Sequence, residues 1–137
     1  MIEVDLPIRL LERVRKRDNK EFWFSCNLNA FTQAAKCTFR RNAIKQAYEL
    51  SIKPLLSHIK PIKGEISLTY TLYVGTKRRC DLSNVCCIVD KYFSDALVKN
   101  CIIEDDSYEF IKNVKYIFGG YEKGNPHCIV EIKEMEK

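Results

Sequence analysis

The chain has 137 residues, a net charge of +5 and an ordinary apolar content. That length suits one domain, residues 1–137, with a core of its own, and the composition excludes a disordered chain. No apolar run approaches the ~20 residues of a membrane span, and the acids within Met1–Ile8 are foreign to a secretory signal, so the expected setting is intracellular.

Met1–Ile8 alternates, with Ile2, Val4 and Leu6 on one side, and predicts a first strand. Residues 9–20 are dense in charge and read as a loop or a short helix. The aromatic run "EFWFSC" (Glu21–Cys26) predicts a short strand, and "NLNAFT" a turn leading into a helix. From Gln33 to Ile52 the period is helical, with Phe39, Ala43, Ala47 and Leu50 on one face and Ile44 beside them. Thr38, Arg41, Asn42, Lys45 and Glu49 fall opposite, and Pro54 ends or kinks the helix.

After a turn at Pro61 and Gly64, Glu65–Val74 alternates cleanly as a strand, with Ile66, Leu68, Tyr70, Leu72 and Val74 on one face. A second long helix is predicted over residues 83–99, with Val85, Cys86, Val89, Tyr92, Phe93, Ala96 and Leu97 as its apolar stripe. Ile102 and Ile103 begin a short buried link. Residues 111–118 and 127–133 read as two strands joined by the turn-rich "GGYEKGNP". The fold expected is a single small α/β (α+β) domain, a mainly antiparallel or mixed sheet with two principal helices.

The seven cysteines are odd in number and show no zinc-type spacing, so they read as reduced, small apolar fillers. Basic residues cluster at Arg9–Arg17, at Arg40, Arg41 and Lys45, and at Lys77, Arg78 and Arg79. Such clusters suit a phosphate-rich partner or simple solubility.

Carboxylates concentrate after the third basic cluster: Asp81, Asp90, Asp95, Asp105 and Asp106. Three readings are open: a metal site, helix capping, or a solvated surface. Ser83 is a candidate N-cap, and Asp81 is another. Asp90 shares a helical face with Ser83, and the loop carrying Asp105 and Asp106 could return toward Asp81. Acids from separate segments converging beside a basic surface would suit magnesium, which takes oxygen ligands and substrate phosphate, and phosphodiester hydrolysis.

The segments "RRCDLSN", "DKYFSDAL" and "VKNCIIEDDS", preceded by "CNLNAFTQAAKCTFRRNAIKQAY", resemble in order the motifs of the RusA family of Holliday-junction resolvases, from about Asn27 onward. That resemblance implies a homodimeric endodeoxyribonuclease, dependent on Mg2+ or Mn2+, that resolves four-way DNA junctions by paired cuts in recombination, repair or phage DNA processing. It implies a cytoplasmic, phage- or prophage-encoded protein with no membrane partner and no organic cofactor.

Carried over, Asp81 matches the first motif aspartate, Asn84 the motif asparagine, and Asp106 the catalytic member of the acid pair, with Asp105 beside it. Lys77, Arg78, Arg79, Asn84, Arg41 and Lys45 would contact DNA. Two departures stand out. Ser83 replaces the second motif aspartate, and the gap to "DAL" is four residues longer, about one helical turn. Lys91 keeps the family's distance to "DAL" and takes the motif lysine's place, whereas counting forward from Asp81 gives Cys87. Either Asp90 rebuilds a site with Asp81 and Asp106, or metal binding is impaired and the chain is a non-catalytic, branched-DNA-binding module.

Overall fold

The computed structural model describes residues 1–135. Strand β1 (Ile2–Pro7) turns Val4 and Leu6 into the core. The next segment corrects the expected loop or helix: β2 (Arg9–Arg15) and β3 (Lys20–Ser25) form an antiparallel hairpin, a separate two-stranded sheet. Its turn is held by the Asp18 carboxylate, which accepts the Lys20 N–H at 3.1 Å and pairs with Arg15 at 2.7 Å, while Asn19 takes the left-handed backbone (φ 56°) that Asn tolerates. Arginines cover its aromatic rings, Arg13 lying 4.2 Å from the Phe22 centroid and Arg9 4.7 Å from that of Trp23.

Helix α1 (Leu28–Ala35) is capped by Asn27, whose Oδ1 accepts the Ala30 N–H at 2.8 Å. The single helix expected from Gln33 is in fact two, because the chain turns at Lys36 and Cys37 before α2 (Thr38–Leu56). Pro54 lies in the last turn of α2, where it gives the Leu50 carbonyl no N–H donor, and the helix ends two residues later. Its buried face is also not the expected one. Phe39 and Leu50 are 84% and 71% exposed, and Ile44, Tyr48, Ile52 and Leu56 pack inward. Tyr48 is buried because its hydroxyl reaches the Pro7 carbonyl at 2.7 Å, and Glu49, expected on the polar face, is buried against Lys99 at 2.8 Å.

Strand β4 (Ile66–Val74) is central and buries Ile66, Leu68, Tyr70 and Leu72 as the alternation requires. Helix α3 (Leu82–Lys99) buries the whole predicted stripe, with Ile88 added. It ends in a Schellman motif: Cys101 takes φ 59°, and the Ile102 and Cys101 N–H groups donate to the carbonyls of Leu97 (2.9 Å) and Val98 (3.0 Å). Ile102 and Ile103 are buried as expected.

Strands β5 (Ile111–Tyr121) and β6 (His127–Glu134) follow. The sheet order is β1-β6-β4-β5, with β6 antiparallel to both neighbours and β5 parallel to β4. The sheet is mixed and mainly antiparallel, and the fold is α+β. The last two strands are joined in sequence but lie on opposite sides of β4. Helix α3 is the crossover between parallel β4 and β5, so it carries the chain back to the far end of the sheet.

Candidate nucleic-acid interface

The basic run and the start of α3 meet the N-terminus of α1 in one cleft of about 670 Å3. Arg9, Arg78, Arg79, Asn27, Asn84 and Asp81 line it, and Asp81 is the one acid among its lining residues. Both helices therefore present their N-terminal ends here, where unpaired N–H groups and the helix dipole favour an anion. Helix α3 has no acid in its first turn, and among the described residues no ion pair forms at Arg78 or Arg79.

Asp81, not Ser83, is the N-cap residue of α3, and its side chain makes no capping bond. Its carboxylate instead accepts the Asn84 side-chain amide at 3.2 Å. Ser83 is exposed in the first turn. The chain thus offers a cleft with three guanidinium groups, three amide side chains and one exposed carboxylate. That set can hold phosphate oxygens and place one anionic oxygen beside them.

The remaining predicted residues do not gather there. Asp90 faces the sheet. Its Oδ1 accepts the Tyr70 hydroxyl at 2.7 Å and the Ser94 hydroxyl at 3.0 Å, and its Oδ2 accepts that of Tyr116 at 3.3 Å. Burial, and then the negative charge of Asp90, push both phenols well above their ordinary pKa. Asp105 and Asp106 are exposed beyond the other end of α3, and Asp106 lines a second cleft of about 370 Å3 with Asp95, Lys99 and Glu49. The expected return of this loop toward Asp81 fails because α3, at 18 residues, is about 27 Å long and runs away from Asp81.

Lys91 is exposed, 5.9 Å from the Phe31 ring centroid, and Cys87, the alternative, is half-buried. Lys45 pairs with Asp95 at 3.5 Å, Lys77 lies 5.6 Å from the Tyr121 ring centroid, and Arg41 is exposed. Among the described residues no three His, Cys, Asp or Glu side chains are placed to hold a metal. The magnesium set implied by the family resemblance is therefore not assembled within one chain. Asp81, Asp90 and Asp106 occupy three different environments.

Sequence reasoning missed Arg9, Asn27 and Asn29 as cleft residues. Asn27 carried the signal of an N-cap before a helix, but nothing local placed it or Arg9 beside Arg78. It also missed His127, held between Asp5 (2.7 Å) and Glu122 (2.8 Å) and stacked on Tyr73. No protein-family model matches the chain, and no curated protein matches it. No helix among the described residues is long and apolar enough to cross a membrane.

Proposed function

We propose that the chain is a structure-specific endodeoxyribonuclease of the RusA type, which binds four-way DNA junctions and hydrolyses phosphodiesters with magnesium. The observation that carries this reading is the exposed Asp81 carboxylate at the start of α3, in a cleft that Arg9, Arg78, Arg79 and the amides of Asn27, Asn29 and Asn84 also line. DNA binding there would be to backbone phosphates. Such contacts fix position and carry no base sequence, so junction shape would select the substrate. Arg78 and Arg79 neutralise phosphate, Asn84 and the first-turn N–H groups of α3 donate to its oxygens, and Asp81 is the anion beside them. Recombination, repair or phage DNA processing, a cytoplasmic location and a phage or prophage source go with this reading.

The second reading is a branched-DNA-binding module without turnover. It is favoured by the isolation of Asp81: Ser83 stands where a carboxylate is wanted, and Asp90 is committed to three hydroxyl groups. Binding of a labelled four-way junction in chelator, competed by linear duplex, tests the substrate class. Preference for the junction that falls in the Arg78→Ala/Arg79→Ala variant supports both readings; equal affinity for the two DNAs contradicts both. Tight junction binding without nicks in magnesium, with nicks gained in Ser83→Asp, would select the binding module.

A further inference from the structure

The β2–β3 hairpin carries the chain's one tryptophan on its outer face. Strand alternation sends Phe24 into the core, 1% exposed, and turns Trp23 to the opposite side, where it stays 46% exposed. Its direct partner across the hairpin is Leu11, itself 39% exposed. The largest aromatic side chain of the protein is thus held on a strand and left open to solvent, and it offers a flat π surface there.

The surroundings of the ring are cationic. Arg9 lies over it, 4.7 Å from the centroid, and the same Arg9 lines the cleft of Arg78, Arg79 and Asp81. One arginine therefore joins the phosphate-binding groups to the aromatic ring. Ser25 also lines that cleft, two residues from Trp23 on the same face of β3. Two residues of strand rise about 7 Å, roughly the span of one nucleotide, so the ring stands at the rim of the cleft. Residues 9–25 carry six cations against three acids. Two of those acids are engaged, Glu12 by Arg40 at 2.8 Å and Asp18 by Arg15 at 2.7 Å, and Glu21 lies one step beyond Trp23, away from the cleft. A flat ring beside guanidinium groups meets a nucleic-acid strand twice, by its base and by its phosphate.

We propose that Trp23 and Arg9 form a stacking platform for one unpaired base of the bound DNA, the phosphate of that strand lying in the cleft at Arg78 and Arg79. A base can stack there only when it has left its own duplex, so the platform favours DNA that is single-stranded or opened at a branch point over continuous duplex. It is indifferent to base identity, because every base has a π face. Phosphate contacts alone are the same on a linear duplex and beside a branch; the platform supplies a contact that only the opened strand can make. The proposal rests on the DNA-binding reading and deepens it, and it requires neither Asp81 nor turnover.

Trp23 is the only tryptophan, so its emission reports this platform alone. The probes are a short oligothymidylate and an abasic strand of the same length, titrated in chelator into the full chain, with affinity read by anisotropy and stacking by quenching of the tryptophan. Oligothymidylate should quench and the abasic strand should not. Trp23→Ala should weaken oligothymidylate roughly tenfold or more, leave the abasic strand unchanged, and keep the circular dichroism of the wild type; Trp23→Phe should retain most of the affinity. Should Trp23→Ala fail to fold, quenching in the wild type decides by itself. Binding of both strands without quenching, or equal quenching by both, would overturn the platform and leave the phosphate cleft standing. Emission that changes with protein concentration and not with DNA would assign this face to a second copy of the chain, and would overturn it too. No binding of either strand or of a four-way junction would overturn the platform and the DNA-binding reading together. Quenching by oligothymidylate alone, beside a junction that is bound and never nicked in magnesium, would sink the nuclease reading and leave the platform in place.

Discussion

The Asp90 carboxylate accepts the Tyr70 hydroxyl at 2.7 Å, beneath α3 and against the centre of the sheet. Tyr70 is fully buried, so this bond satisfies a hydroxyl that water does not reach. Asp90→Ala should cost about 1–3 kcal/mol of stability, the penalty for leaving a buried donor without an acceptor. Asp90→Asn, which keeps an acceptor oxygen, should cost less. Urea unfolding measures both, and junction affinity per folded molecule should be unchanged. A loss of affinity without a loss of stability would return Asp90 to the DNA site.

Arg78 and Arg79 are the residues expected to govern the salt dependence of DNA binding. Each phosphate contact contributes about −0.9 to the slope of log K against log salt. Arg78→Ala and Arg79→Ala should each reduce that slope by about 1 and weaken binding alike across sequences. Arg15→Ala should leave the slope unchanged, because Arg15 is already paired with Asp18 at 2.7 Å. Fluorescence anisotropy over a salt series gives all three slopes.

His127 makes stability depend on pH. Burial lowers its pKa, but hydrogen bonds and charge from Asp5 and Glu122 outweigh it, so the folded value lies above the ordinary one. A raised value means the folded state holds the proton more tightly than the unfolded chain does. The resulting stabilisation is fully present below about pH 6.5, the unfolded value, and is lost as pH rises through the higher folded value. His127→Gln should therefore lower the melting temperature more at acidic than at alkaline pH. An equal loss at both ends would show that the ring's stacking on Tyr73, and not its charge, is what matters.

Cys101 holds a left-handed backbone at the end of α3, φ 59°, where glycine is the usual residue. It is exposed and reduced, so its side chain buries nothing. The left-handed conformation costs a residue with a Cβ roughly 1–2 kcal/mol, partly offset by the greater unfolded freedom of glycine. Cys101→Gly should raise stability by about 1 kcal/mol in urea unfolding.

The elements with a single clear period were legible. In β4 every second residue is apolar, and α3 carries an unbroken stripe, so both lie where the pattern puts them. Strand β3 was legible in its aromatic run, and its Phe24 packs into the core, whereas β2 was hidden because most of its residues are charged and its register shifts between Leu11 and Arg13, leaving no apolar alternation to find. The break at Lys36 and Cys37 has neither glycine nor proline to announce it. The buried face of α2 turns on Tyr48, which packs inward only because the Pro7 carbonyl, far away in sequence, accepts its hydroxyl.

The candidate site divides in the same way. Arg78, Arg79, Asp81 and Asn84 are contiguous, and their shared cleft follows from one turn and one helix start. Arg9 and Asn27 arrive by tertiary folding. The separation of Asp106 from Asp81 follows from topology: a helix between two parallel strands delivers the chain to the opposite end of the sheet, and the parallel pairing was not apparent from two strands read as a joined pair.

The most direct measurement is cleavage of a labelled four-way junction against matched linear duplex, in magnesium and in chelator, for the wild type and Asp81→Asn. Paired nicks in the junction alone, dependent on magnesium and abolished in Asp81→Asn, are the predicted result. Absence of nicks in the wild type, or nicking that Asp81→Asn leaves intact, would contradict the account.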